Sequence, residues 1–595
     1  MKTVDFISKI LIEENVRQVF GMIGGAATRL IDSLNSNGLE FVPFYHEQAA
    51  AYAATAAAKY SRQLNVAVAT SGPGATNLIT GIADAYFDSV PVLFLTGQVN
   101  TSDFKYEGKV RQLGFQETDI VNIVKPITKY ASLVDNSNKL VHEVRKAISI
   151  AKSGRPGPVL LDIPMDIQAQ FVEIDEENKE FNSNEPLKDQ IKPDLARMVL
   201  EKIKQSKKPL ILCGGGCCDL STKELILKFV EKYKIPVVVS LMGKDSFPND
   251  HPLYSGFVGA YGNRYANIAM VQSDLLLVLG SRLDTRQTGN NLAPFQKKCI
   301  IQVDIDENEM NQRVSNEISV VSSINSFLKT LLDFSIQDQE KKALNRSNWL
   351  FFLEQLKAKF PVIGEPIRAG VKEYHYNLAK EISDHLWEDD VICVDVGQNQ
   401  MLAAQAIEIR KKQRFINSGG MAPMGYSLPA AIGISLQNNS KRSIVITGDG
   451  GFQVNIQELI TVAKRKLPII IFVFNNHSLG MIKQFQELYL DSRFVGTDSS
   501  GNYYHPDFVE IAKAYGIKAF KISANSKTWR RDVTNILDNS YGPVLVDVDL
   551  DYQTYIYPKL EFDNVIDSPL PDLSDLEKAG LQKLISKLNT EDQGV

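Results

Sequence analysis

The run Ser443-Ile444-Val445-Ile446-Thr447 leads into Gly448-Asp449-Gly450-Gly451, and a second apolar run, Ile469 to Phe474, leads into Asn475-Asn476. Both runs read as β-strands closed by turn-forming residues, and Ile456 to Lys464 between them carries apolar residues at helical spacing. Strand, helix and strand of this length form a βαβ unit, whose crossover lays the two strands parallel. Asp449 and Asn476 then stand at adjacent carboxyl ends, where open α/β sheets bind their ligands. Each offers a hard oxygen, the donor magnesium takes, and magnesium fills the rest of its shell with phosphate oxygens and water. Gly448, Gly450 and Gly451 keep side chains out of the path of a diphosphate, and a following helix would turn its N–H groups toward it. A plain βαβ unit with a turn aspartate could contain Gly-Asp-Gly alone. The Asn-Asn pair closing the next strand favours the metal-binding reading.

Outward from this unit, the chain of 595 residues divides into three stretches of strand-then-helix alternation. Residues 1–170 hold apolar runs at Val66 to Thr70, Val90 to Thr96 and Val159 to Ile163. Residues 191–340 hold Pro209 to Cys213, running into Gly214-Gly215-Gly216, then Val237 to Ser240, Leu275 to Gly280 and Ile300 to Asp304. Residues 370–550 hold the unit described above. A charged stretch from Ile174 to Lys188 reads as a linker, Asp338 to Arg346 as a boundary, and 551–595 as a tail ending in an amphipathic helix, Ser574 to Leu588. The pattern predicts an α/β protein of three doubly wound parallel-sheet domains.

Composition narrows the function classes. With 44% apolar and 23% charged residues the chain reads as an ordinary globular protein, and a net charge of −5 without basic runs argues against nucleic acid. No apolar run approaches the roughly 18 residues of a membrane span, and the first residues read as a helix rather than a leader, so the expectation is a cytoplasmic protein. Cys213, Cys217, Cys218, Cys299 and Cys393 are five in number without metal-ligand spacing, and read as buried reduced thiols.

In the first stretch, Phe44-Tyr45-His46-Glu47-Gln48 puts an acid between an apolar strand and an alanine-rich helix, where apolar neighbours would desolvate it. A helix-capping carboxylate is the plainer account of the same placement. Ala69-Thr70-Ser71-Gly72-Pro73-Gly74-Ala75-Thr76-Asn77 reads as strand, turn and helix start, and Gly114-Phe115-Gln116-Glu117 supplies an aromatic ring and an amide that could line a pocket.

With these residues in view, about residues 1–550 resemble thiamine diphosphate-dependent enzymes of the acetolactate synthase (acetohydroxyacid synthase) catalytic-subunit type. The carriers are Gly24-Gly25-Ala26, His46-Glu47-Gln48, Thr70 to Asn77, Phe115-Gln116-Glu117 and Ser153-Gly154-Arg155-Pro156-Gly157-Pro158. In the second half they are Asp395-Val396-Gly397-Gln398, Ser418-Gly419-Gly420, Met424-Gly425, Gly448-Asp449-Gly450 and Asn475-Asn476. The resemblance implies a pyrimidine-binding, a central FAD-type and a diphosphate-binding domain. It implies an enzyme that decarboxylates pyruvate and transfers the acetyl carbanion unit to a second 2-keto acid, forming 2-acetolactate for branched-chain amino acid biosynthesis. Glu47 would share a proton with the cofactor's aminopyrimidine and so promote proton loss from the thiazolium C2. Asp449, Asn476 and the Ser478 carbonyl would hold Mg2+. Met424 would prop the cofactor in a bent shape, and Gly397, Gln398, Gly448, Gly450 and Gly451 would hold its diphosphate, with Gly24, Gly25, Thr70, Gly74 and Asn77 facing the other end. Phe115, Gln116, Met481 and Phe485 would border the substrate, and Arg286 would clamp the acceptor's carboxylate, a task suited to a bidentate guanidinium. FAD would contact Arg155, Gly214, Gly215, Gly216, Leu241, Met242, Gly262, Gly280, Arg282 and Asp304. In the family the first and third domains of different subunits enclose the cofactor, so a homodimer or homotetramer is implied, with a small regulatory subunit as a further partner.

The chain also departs from the family. Phe485 stands where biosynthetic members have Trp, Met165 replaces a lysine, Asn399 a histidine, and Ala260-Tyr261 a Met-His pair. The tail from Tyr557 resembles relatives that join the acetyl unit to a keto-sugar. A carboligase with a sugar or aldehyde acceptor, a 2-keto acid decarboxylase and a non-catalytic nucleotide-binding protein are the alternatives. Glu47 and the Asp449–Asn476 pair argue against the last. No nicotinamide-type glycine fingerprint supports a flavin dehydrogenase.

Overall fold

The computed structural model describes residues 1–106, 108–173, 191–337, 346–437, 441–523, 525–540, 542–551 and 553–591. The expected linker at 174–188 and the charged segment at 338–345 lie outside the described residues.

Among the described residues eighteen strands form three six-stranded sheets, and every paired neighbour runs parallel. The first sheet holds β1 (Gln18–Gly21), β2 (Glu40–Pro43), β3 (Asn65–Ala69), β4 (Val92–Gln98), β5 (Tyr130–Leu133) and β6 (Val159–Pro164), in the order β2-β1-β3-β4-β6-β5. The middle sheet holds β7 (Pro209–Cys213), β8 (Val237–Val239), β9 (Tyr254–Phe257), β10 (Leu275–Leu279), β11 (Cys299–Asp304) and β12 (Ile318–Val321), in the order β12-β11-β10-β7-β8-β9. The third holds β13 (Val391–Val394), β14 (Arg414–Ile416), β15 (Ser443–Gly448), β16 (Ile469–Asn475), β17 (Lys518–Ser523) and β18 (Val544–Asp549), in the order β14-β13-β15-β16-β18-β17. First and third sheets therefore share one topology, strand for strand. The central strands are buried along their whole length, as parallel strands covered on both faces must be.

The first and third sheets meet through two helices, α1 (Glu47–Ser61) and α2 (Ser427–Gln437), each following the second strand of its own sheet. The alanine run of α1 is explained by this contact: nearly the whole helix is buried, and small side chains let backbones come close. A Cβ added to Gly433 of α2 would stand 2.3 Å from the Ala53 carbonyl oxygen of α1. One apolar core, including Phe20, Val42 and Phe94 as well as Ile416, Val445 and Ile471, runs through both sheets. The tail packs on the middle sheet's outer face, where Ile566 and Leu588 join Trp349 and Phe352, and its helix spans Asp575–Glu591.

Around the diphosphate motif, the helix starts earlier than the sequence pattern implied. It begins at Asp449 itself (Asp449–Val454), breaks at Asn455, and resumes through Ile456–Glu458 and Leu459–Arg465. The two glycines disguise this helix start, because they carry no apolar periodicity. Cys299 is only half-buried, unlike the other four cysteines.

Candidate functional site

Strand pairing puts Gly448 of β15 opposite Phe474 of β16, so Asp449 and the Asn475-Asn476 pair emerge side by side. Asp449 opens its helix and is buried, and its Oδ2 has no hydrogen-bond partner. Burial pushes its carboxyl up to about 6, against the pull of His505, the Tyr503 hydroxyl, the Gly450 N–H and His477. Asn476 donates to Gln398 Oε1 at 3.1 Å, while Gln398 Nε2 and Ser478 Oγ, both buried or nearly so, are likewise without partners. Orphaned buried polar atoms are costly, and several converging at a strand-end crevice mark a place where a polar ligand belongs. The glycines divide by role. A Cβ on Gly450 would meet Leu479 at 2.3 Å and sit 3.3 Å from the Met424 methyl, which places Met424 against this loop. Gly397, at φ +112°, has open space around it. Gly451 instead makes room for Asp395, whose Oδ1 would lie 2.6 Å from an added Cβ. Gly448 makes room for the Asn399 amide, at 2.7 Å from its own added Cβ.

These donors fit Mg2+ and a diphosphate. One carboxylate, one amide oxygen and one backbone carbonyl leave an octahedron to be completed by ligand oxygens. Among the described residues no cluster of three His, Cys, Asp or Glu side chains offers a metal site.

The second group forms at the ends of β1, β2 and β3. His46 caps α1 by accepting from the Gln48 N–H at 3.1 Å, so Glu47 is not the capping group. The Glu47 carboxylate is buried and accepts from Asn77 Nδ2 at 2.9 Å. A Cβ on Gly74 would stand 3.1 Å from Glu47 Oε1, and one on Gly24 would strike Thr70 at 2.6 Å. The Thr70 hydroxyl accepts from the Ala26 N–H, and Gly25 faces open space. Glu47, Thr70, Gly74, Asn77, Gly24 and Gly25 are thus one cluster. Gln116, held at φ +64°, packs against Gly72 beside it, whereas the Phe115 ring is 86% exposed.

A third group surrounds a cavity of about 970 Å³ between the sheets, at the upper end of the roughly 300–1,000 Å³ typical of ligand sites. Its wall includes Arg155, Gly215, Gly216, Leu241, Met242, Gly280, Arg282 and Asp304, together with Arg286, Met481 and Gly397. Gly214 and Gly262 are not on that wall. A Cβ on Gly214 would lie 2.1 Å from the Gly280 carbonyl oxygen, and one on Gly262 would lie 2.5 Å from Gly259 N, so these two serve chain packing. Gly216 and Gly280 also pack on each other, which leaves Gly215 as the member of the triplet freest to face a ligand. Arg286 is exposed, and the neighbouring Tyr261 hydroxyl lies 3.3 Å from Met481 Sδ. Phe485, 40% exposed, packs on Tyr489 and is not on the cavity wall.

Three features carried no assigned role in the sequence reading. Asp395 accepts from Gly425 N, Ser427 N and Ser427 Oγ at 2.7 to 3.0 Å, and so fixes the loop that presents Met424. Glu458 and the Lys59–Asp84–Asp88 group bridge first and third sheets. Set among polar neighbours, Asn455 and Gln457, Glu458 gave no signal of this role in the sequence.

Three family models cover most of the chain: the thiamine pyrophosphate enzyme N-terminal TPP binding domain at residues 1–123, the central domain at 195–331, and the C-terminal TPP binding domain at 395–548. The chain is 37% identical over 563 residues to the probable acetolactate synthase large subunit of Methanocaldococcus jannaschii, covering 93% of this chain and 92% of that one. It is 35% identical to the acetolactate synthase large subunit of Lactococcus lactis, covering 93% of each. It is also 35% identical to the acetolactate synthase isozyme 3 large subunit of Escherichia coli, covering 93% of this chain and 96% of that one.

Proposed function

Since the chain belongs to the thiamine pyrophosphate enzymes, as a member of the acetolactate synthase large-subunit type, we propose that it decarboxylates pyruvate and joins the two-carbon unit to a second 2-keto acid, giving 2-acetolactate. The observation that carries this reading is the pairing of a buried Asn77-held Glu47 at one set of strand ends with Asp449 Oδ2 and Gln398 Nε2, both without partners, beside Asn476 at the other. Thiamine diphosphate, once bound, would supply the carbon nucleophile that takes up pyruvate and releases carbon dioxide. Asp449, Asn476 and the Ser478 carbonyl would hold Mg2+ and through it the diphosphate. Glu47 would hold the proton that the aminopyrimidine exchanges, kept in place by Asn77. Arg286 would grip the acceptor carboxylate at the cavity wall, beside Met481.

The large cavity suits FAD, with Arg155, Gly215, Leu241, Met242, Arg282 and Asp304 as its contacts. A dimer is supported by exposed apolar residues beside both strand-end clusters: Met22, Tyr45, Phe115 and Met424. A small regulatory subunit is a natural partner for a chain whose relatives are described as large subunits. Among the described residues no helix is long and apolar enough to cross a membrane.

The test is to incubate the protein with labelled pyruvate, thiamine diphosphate and magnesium and to identify the product by mass. Labelled 2-acetolactate is expected. Failure to make it, with condensation onto an added keto-sugar instead, would move the reading to the sugar-acceptor carboligase, for which Phe485 outside the cavity leaves room. Free acetaldehyde alone would make the protein a decarboxylase.

A further inference from the structure

Glu458 lies in the short helical turn Ile456–Glu458, downstream of β15, and its side chain is completely buried. Its carboxyl reaches across to the first sheet. There Oε1 accepts from the Tyr45 N–H at 3.1 Å, and the His46 N–H also turns to it. These are the two residues immediately before Glu47, at the turn from β2 into α1, where the backbone N–H groups have no strand or helix partner of their own.

The same arrangement recurs in reverse. Downstream of β3, the strand equivalent to β15, Asp84 and Asp88 reach across to the third sheet. Asp88 accepts from Gly419 N at 3.1 Å and Gly420 N at 2.8 Å, and Asp84 accepts from the Ser418 hydroxyl. Ser418 to Gly420 follow β14, the strand equivalent to β2. Each sheet therefore fastens the turn after the other's second strand with buried carboxyl groups.

We propose that Glu458 is a positioning residue for Glu47. Three contacts fix that turn: Glu458 holds the peptide groups of Tyr45 and His46, the His46 ring caps α1, and Asn77 holds the Glu47 carboxylate. Removing the first frees the backbone from which Glu47 projects, while Asp449, in a separate helical turn of the same β15–β16 connection, and Asn476, beyond β16, keep their places. Burial pushes the Glu458 carboxyl up to about 8, and a glutamine keeps its length and an oxygen placed to accept from the same backbone N–H groups. The inference rests on the assignment of Glu47 as the group that activates the cofactor.

The experiment measures deuterium exchange at C2 of bound thiamine diphosphate by quenched flow and NMR, and cofactor affinity by calorimetry, in the magnesium-loaded protein. Glu458→Ala should exchange about 10- to 100-fold more slowly, the cost of misplacing a catalytic group by about 1 Å, with affinity nearly unchanged. Glu458→Gln should exchange at close to the wild-type rate. Should the alanine variant not fold, Glu458→Asp, which withdraws the carboxyl by one methylene, should show the slowing instead. Wild-type exchange in the alanine or aspartate variant overturns the proposal. So does a glutamine variant as slow as the alanine one. Wild-type protein that fails to promote exchange at all would instead remove the assignment of Glu47, and the inference with it.

Discussion

The first and third sheets have the same six-strand order, the same direction and the same helix after the second strand, yet their strand ends hold opposite kinds of group. At the end of β2 the Glu47 carboxylate is already satisfied, held by Asn77. At the end of β15 Asp449 Oδ2 is unsatisfied, as are Gln398 Nε2 and Ser478 Oγ near it. A side chain fixed by the protein itself is suited to moving a proton at a defined atom. A set of donors left open is suited to gripping something brought in. The shared topology decides where chemistry can sit, and the residue at each strand end decides which chemistry it is.

That division of labour can be broken one side at a time. The largest effect belongs to the first sheet. Glu47→Gln should bind thiamine diphosphate about as well as wild type while slowing C2 exchange about 10²- to 10⁴-fold, the range for a positioned proton-transfer group. On the third sheet, Asp449→Ala should weaken cofactor binding by about 100-fold or more, since even indirect partners of a metal cost 10- to 100-fold. Calorimetry should show the loss shrinking as magnesium is raised. Equal affinity with and without magnesium would remove the metal from the account.

The contact between the two halves is tested by Gly433→Ala. The new methyl would meet the Ala53 carbonyl at 2.3 Å, and overpacking of this kind costs roughly 1–3 kcal/mol. The midpoint of denaturant unfolding should fall while the cofactor's metal dependence stays as it was.

The smallest effect is in pH. Burial pushes Asp162 up to about 7 and Glu458 up to about 8, whereas unfolded carboxyls titrate near 4. Between those values the folded chain binds more protons than the unfolded one, so stability is full below about pH 4 as far as these two groups go, and falls as pH rises toward 8. Glu458→Gln should flatten the upper part of that fall, measured as the unfolding midpoint against pH.

Much of the architecture was legible because parallel strands are apolar throughout. Pro209 to Cys213 was readable at both ends, and Asp449 and Asn476 were placed side by side from the βαβ pattern alone. The glycines were less legible. Gly214 and Gly280 both stand among the FAD contacts that the resemblance implies, yet Gly280 lines the cavity while a Cβ on Gly214 would strike the Gly280 carbonyl, and a sequence does not say whether a missing side chain admits a ligand or another strand. Glu458 was illegible for a different reason. Its partner, Tyr45, is 413 positions away, and only the mutual packing of two sheets brings them together.

If the two sheets contribute the two halves of each site, and the halves come from different chains, inactive proteins altered in different halves should complement each other. Glu47→Gln and Asp449→Ala proteins, each inactive in 2-acetolactate formation, should be mixed, unfolded together and refolded. In a two-fold dimer every mixed pair would contain one doubly altered site and one intact site, so random pairing should restore about a quarter of the wild-type rate. No recovery in the mixture, from chains that each refold with wild-type subunits into active protein, would contradict a site shared between chains.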